Sequence, residues 1–174
     1  MTERPFVTLL NTQIGNELAA HNQYVACAAY YDGVTMPRMA AFFYAQALEE
    51  RDHAMMMLQY LLDIGAPVRL PALPAPTAEF DGVVAPVELA LAQEQKVTGQ
   101  INELLRTARE ESDYASEQFM QWFIKEQVEE VASMGALLAV VARNTDNVDT
   151  IEEYVARESG AESADSGAPS IAGA

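Results

Sequence analysis

The chain has 174 residues, half of them hydrophobic, and a formal net charge of -16 at pH 7. That length suits one domain with a substantial core. The 10 Lys and Arg, against 26 Asp and Glu, form no basic run, which argues against contact with nucleic-acid phosphates.

Met1 to Pro5 shows no basic region followed by an apolar run, so no signal peptide is visible. Helical periodicity then runs from about Pro5 to Tyr31 and stops at Asp32-Gly33, with a stripe of Leu10, Ile14, Glu17 and Tyr24. Cys27 lies in this segment among apolar neighbours and reads as a buried thiol. A lone cysteine cannot form an intrachain disulfide, which suits a reducing cytoplasm. A second segment is entered through Thr35 and Pro37, a capping residue and an early-turn proline, and ends at Gly65. Its stripe of Met39, Phe42, Phe43 and Gln46 is interrupted by Glu49, Glu50 and His53, then resumes with Met56, Met57 and Tyr60.

The stretch from Gly65 to Ala85 carries Pro67, Pro71, Pro74 and Pro76 and favours extended backbone. A third helical segment follows from Pro86 to about Glu111, where Val87 and Leu91 precede Glu94, and Val97, Ile101 and Leu105 follow it. Ser112-Asp113 supplies a cap for the fourth, which continues to Arg143. On it, Phe119, Trp122 and Phe123 lead to Glu126, Gln127 and Glu130, then Met134 and Leu138. A shorter amphipathic piece spans Asp146 to Arg157. From Ser159 to Ala174 the composition of Ser, Gly and Ala with two acids predicts a disordered tail, outside a domain covering residues 1–158. No stretch is apolar for long enough to cross a membrane.

Loop lengths restrict the topology. Short turns make the first and second segments one antiparallel hairpin, and the third and fourth another. A helix of about 28 residues is ~42 Å long. The linker's roughly 20 residues cover ~60 Å when extended, so it can traverse the whole bundle. The expected fold is all-α: a four-helix bundle with one long crossover and a short fifth helix.

Each long helix breaks its apolar pattern near its midpoint. Helices of similar length packed side by side bring their midpoints to one level whichever way each runs, so the interruptions converge on one layer. Glu50 and His53, three residues apart, point from one helix face into it. Buried carboxylates gathered there repel one another and cannot all ionise without bound cations. Any one of these residues alone reads as solvated surface, and composition leaves that open. The same defect in four helices at one height favours a metal. Carboxylates with one imidazole suit iron or manganese.

These residues resemble the non-haem bacterial ferritins over nearly the whole chain, up to about Arg157. The likeness rests on Glu17 followed by Tyr24, on the block from Tyr44 to Ala54 with its Glu49-Glu50-Arg51-Asp52-His53, and on Glu94. It rests also on Gln118-Phe119-Met120-Gln121-Trp122-Phe123 leading into Glu126-Gln127 and Glu129-Glu130. The resemblance implies that Glu17, Glu50 and His53 hold one iron of a ferroxidase pair, with Glu50 bridging to a second iron held by Glu94. Glu130 would contribute to that second iron, with Gln127 close by, and Tyr24 beside the pair could supply an electron. Glu49, Glu126 and Glu129 match an additional inner iron site. The resemblance further implies Fe(II) and O2 as substrates and a homo-oligomeric shell of 24 subunits whose fourfold axes the fifth helix lines.

Haem-binding bacterioferritins also resemble the chain, but they carry a second Glu-x-x-His where this sequence has Gln127 and Glu130. They place a haem-ligating methionine where it has Arg51, so no haem is expected. Mini-ferritins that protect DNA usually lack the fifth helix and often have basic tails. A di-iron or di-manganese oxidase or peroxidase on the same bundle remains the competing enzyme reading, and a free-standing bundle needs no fifth helix. His21, four residues after Glu17, is weighed as a further ligand against an interfacial or surface histidine. Glu117 is placed near a pore through which iron enters.

Overall fold

The computed structural model describes residues 4–158 and 167–173. Five helices follow one another: α1 (Pro5–Gly33), α2 (Pro37–Asp63), α3 (Ala85–Glu110), α4 (Tyr114–Arg143) and α5 (Val148–Glu158), with no strand among the described residues. A proline in the first turn of α1, α2 and α3 presets φ where the missing N–H has no intrahelical partner to lose. The hairpin pairings α1–α2 and α3–α4 are as the short turns require, and α5 packs on α2 and α4.

Two turns are closed by residues in the left-handed region. Thr35 has φ 63° and Ser112 has φ 57°. The expected helix cap at Thr35 is therefore not what this residue provides. It ends α1 instead: Thr35 N–H donates to Asp32 C=O at 3.1 Å and Met36 N–H to Tyr31 C=O at 2.9 Å. At the second turn Asp113 does cap α4, accepting from Ser116 N–H at 3.2 Å and from Ser116 Oγ at 2.5 Å. The same turn holds the start of α1, since Glu111 accepts from Phe6 N–H at 2.8 Å and Arg4 pairs with both Glu111 and Asp113.

The crossover follows α1 in parallel. Asn11 binds Pro67 C=O and Arg69 N–H at 3.0 and 2.6 Å. Gln23 binds both backbone groups of Thr77 at 2.8 Å, and Tyr31 Oη donates to Val83 C=O at 2.6 Å. Gly15 lies between the first two anchors, and a Cβ there would collide with the Pro71 ring.

The apolar core is two blocks, not one. One gathers Tyr24, Tyr31, Met39, Phe43, Val87 and Val141 with Ile151 and Val155 of α5. The other gathers Phe6, Leu10, Ile14, Met57, Ile101 and Phe123. Cys27 is buried in the first block, and burial pushes its thiol up to about 11. Residues 159–166 and 174 of the expected tail lie outside the described residues. Ile171, the one large apolar residue of the tail, packs on the second block, and Ala172 N–H donates to Met55 C=O at 3.2 Å.

Glu152 of α5 caps α2 across more than a hundred residues of chain, accepting from Arg38 N–H at 2.8 Å and Met39 N–H at 2.9 Å. Glu152→Ala is expected to cost ~1–2 kcal/mol in denaturant unfolding followed by circular dichroism, with a smaller loss in Glu152→Gln. An unchanged midpoint for Glu152→Ala would show that this cap contributes nothing.

Candidate metal centre

Between the two apolar blocks lies a polar layer. Glu17 of α1, Glu50 and His53 of α2, Glu94 of α3, and Gln127 and Glu130 of α4 are all buried there, none more than 6% exposed. Each stands where its helix's apolar stripe would otherwise place a Leu or Val, so the turn-by-turn periodicity that builds the core also aims these groups inward.

Their ligating atoms fall into overlapping triads, each with all its atoms within 4.8 Å of one another. Glu17, Glu50 and His53 form one. Glu50, Glu94 and Glu130 form a second, so Glu50 belongs to both. His53, Glu126 and Glu130 form a third. His53 Nδ1 lies 3.7 Å from Glu50 Oε2 and His53 Nε2 lies 3.8 Å from Glu130 Oε1, with Trp122 and Phe123 packed edge-on against the ring.

Some of these oxygens have hydrogen-bond donors. Tyr24 Oη donates to Glu94 Oε1. Gln127 Nε2 donates to Glu130 Oε2 at 2.9 Å and to Glu94 Oε2 at 3.4 Å, and Gln13 Nε2 donates to Glu17 Oε1 at 2.8 Å. Glu17 Oε2 and Glu130 Oε1 are buried with no hydrogen-bond partner. Buried acceptors of that kind are costly unless a cation completes them.

Burial first, then the negative charge of Glu130, Glu17 and Glu94, drives the Glu50 carboxyl well above the usual carboxylate range. Burial and then Glu94 do the same to Glu130. Burial, Glu94 and Glu50 together hold Tyr24 as a neutral phenol. This chemistry fits divalent or trivalent cations with oxygen-donor preference. Four carboxylates and one imidazole offer mainly oxygen ligands and no thiolate.

Several sequence-derived positions fall elsewhere. Glu49, Glu126 and Glu129 share no triad: Glu129 is 63% exposed at its side chain with Lys125 Nζ 3.8 Å away, and Glu49 accepts from Gln46 Nε2 at 2.7 Å. Of the three, Glu126 alone joins ligands of the central layer. His21 enters no triad, and its Nδ1 meets Ala47 C=O at 2.6 Å, tying α1 to α2. Glu117 accepts from Arg109 Nε at 2.7 Å. Sequence reading passed over Gln13 and Thr98, each one turn from a ligand on the same helix. Polar residues at that spacing on a half-buried face were the available signal.

An all-α bundle whose core is divided by buried carboxylates and one imidazole, grouped at ligating separation, defines a carboxylate-rich metal protein. A family model described as a ferritin-like domain matches residues 7–144. The chain is 48% identical over 168 residues to Ferritin BfrB of Mycolicibacterium smegmatis, covering 97% of this chain and 93% of that protein. It is 34% identical to a bacterial non-heme ferritin of Staphylococcus haemolyticus over 88% of this chain and 93% of that one. The solved open-pore ferritin of Archaeoglobus fulgidus superposes with a TM-score of 0.86 at 29% identity, covering 94% of this chain and 100% of that one. The chain belongs to the ferritin family, whose members bind and store iron. No helix among the described residues is long and apolar enough to cross a membrane.

The raised carboxyls give metal binding a definite pH dependence. A cation entering the layer must displace the protons that Glu50 and Glu130 retain, so affinity rises with pH above the ordinary carboxylate range. Without metal the sign reverses for folding. These groups contribute stability below their unfolded pKa, and the contribution is lost as pH rises through the raised folded values. Zn(II) titration calorimetry in buffers of different ionisation enthalpy is expected to show net proton release, reduced in Glu50→Gln. Binding without proton release would contradict the protonated layer.

Proposed function

We propose that this chain is a ferroxidase subunit of an iron-storing shell. It binds two Fe(II) as substrate in the central layer, passes one electron from each to O2, and delivers Fe(III) to a mineral held inside. The observation that carries this reading is the double membership of Glu50, which lies in two triads of buried ligating atoms drawn from all four long helices. Glu17, Glu50 and His53 would take one iron, and Glu50, Glu94 and Glu130 the other, with Gln127 beside it. Holding both ions at one bridging carboxylate lets a single O2 meet two electron donors. Carboxylate charge favours the ferric product, and Tyr24, hydrogen-bonded to Glu94, is placed to give a further electron.

Glu126, which reaches His53 and Glu130, would open an inward route for Fe(III). Glu49 and Glu129 then serve as flanking acids of a third iron site. The shell takes no haem: Arg51 stands at the position of a haem-ligating methionine, and its guanidinium pairs with Asp52 at 2.7 Å. The shell is a 24-mer in the cytoplasm, with α5 along the fourfold axes. Ile151 and Val155 are buried, so the polar side of α5 would be the one to meet neighbouring copies.

Stopped-flow oxidation of Fe(II) tests the assignment. Replacing both Glu50 and His53 with Ala is expected to slow the fast phase about a hundredfold or more while gel filtration still shows the assembled particle. Wild-type rates in that assembled variant would remove the central layer from the mechanism. Glu129→Ala is expected to leave the first turnover intact and slow oxidation on repeated iron additions. Unchanged kinetics over successive additions would exclude Glu129 from the third site.

A further inference from the structure

Thr98 lies on α3 one turn beyond Glu94, partly buried, and belongs to none of the ligand triads. Its Oγ1 is 2.9 Å from Glu94 C=O and 3.0 Å from Gln127 Oε1. The opposite end of the Gln127 amide, the NH2 group, points at Glu130 Oε2 and Glu94 Oε2. The amide thus offers its two hydrogens to the carboxylates of the proposed second iron.

In that orientation the amide cannot itself ligate a cation or accept from its bound water. An amide NH2 presents positive hydrogens and has no free lone pair, whereas the amide oxygen is an acceptor that can face a metal or its bound water. To face a cation between Glu94 and Glu130, the amide must turn by half a rotation about Cγ–Cδ, which swings the NH2 group to where Oε1 now lies. Most buried surroundings would then leave a donor facing another donor or facing nothing, at a cost. A threonine hydroxyl is both donor and acceptor. In the present orientation Thr98 Oγ1 can donate to Gln127 Oε1. After the turn it can accept from Nε2 and give its own proton to Glu94 C=O, already 2.9 Å away.

We propose that Thr98 is a positioning residue. Its hydroxyl can hold Gln127 in either of two amide orientations, one giving the NH2 hydrogens to Glu94 and Glu130 and one turning the amide oxygen toward an ion bound between them. This rests on the two-iron reading of the central layer. It adds a defined role for a side chain that touches neither metal nor O2.

The test uses Co(II) as a probe, titrated anaerobically into the assembled protein and followed by its visible d–d absorption and by calorimetry. Wild type is expected to take up two Co(II) per subunit. Thr98→Val, of the same shape without the hydroxyl, is expected to bind the first Co(II) as wild type does and the second about tenfold more weakly, with a changed spectrum for that second equivalent. Thr98→Ser is expected to restore both. In a Gln127→Glu background the carboxylate has no NH2 end to turn, so Thr98→Val should there have no further effect. If Thr98→Val does not assemble, Thr98→Ala takes its place in the same comparison. Second-site affinity and spectrum unchanged in the hydroxyl-less variant would overturn the inference alone. An equal loss in the Gln127→Glu background would also overturn it. A wild-type protein that binds fewer than two Co(II) would overturn the two-iron reading, and this proposal with it.

Discussion

The fold is organised around an electrostatic conflict: carboxylates from all four long helices are buried in one layer, and they repel one another there. The layer divides the apolar core in two. Two of its oxygens have no hydrogen-bond partner, and the carboxyls of Glu50 and Glu130 hold their protons well above the usual range. The apolar blocks on either side must supply the stability that the layer withholds. Cations relieve the conflict by replacing retained protons with positive charge at ligating distance.

Other features of the bundle follow from keeping that layer aligned. The four ligand-bearing helices need a common height, and their ends are fixed by bonds between distant parts of the chain. Glu111 and Arg4 join the start of α1 to the α3–α4 turn, while Glu152 joins α5 to the start of α2. The crossover is fastened to α1 at Asn11, Gln23 and Tyr31, which holds α3 in register with α1 across a long connection. Inside the layer, Gln13 and Tyr24 orient Glu17 and Glu94 by donating to one oxygen each. Gln127 donates to Glu94 Oε2 and Glu130 Oε2, while Glu17 Oε2 and Glu130 Oε1 stay without a hydrogen-bond partner.

Much of this was legible in the sequence, because helical periodicity is a strong signal and a Glu on an apolar stripe is a conspicuous breach of it. The helix limits, the crossover and the gathering of Glu17, Glu50, His53, Glu94, Gln127 and Glu130 all follow from spacing. What escaped depends on angles or on long-range partners. The different burial of the neighbours Glu129 and Glu130 is one such feature: a step of about 100° around the helix exposes the Glu129 side chain beside Lys125. Thr35 looked like a cap because threonine often is one, yet its backbone takes the left-handed turn usually left to glycine. The Glu152 cap joins residues more than a hundred apart, which no local pattern reveals. Ile171 shows the opposite limit: one apolar residue in a tail of small ones is too weak a periodic signal, but enough to find a place on the core.

The central claim is that one buried carboxylate, Glu50, serves two metal positions at once. Anaerobic Fe(II) binding to the assembled protein, counted per subunit for wild type and for Glu50→Ala, tests it most directly. Wild type is expected to hold two Fe(II) tightly, and this single substitution to lose both. Retention of one tight Fe(II) at wild-type affinity in Glu50→Ala would contradict it, since the two positions would then be independent.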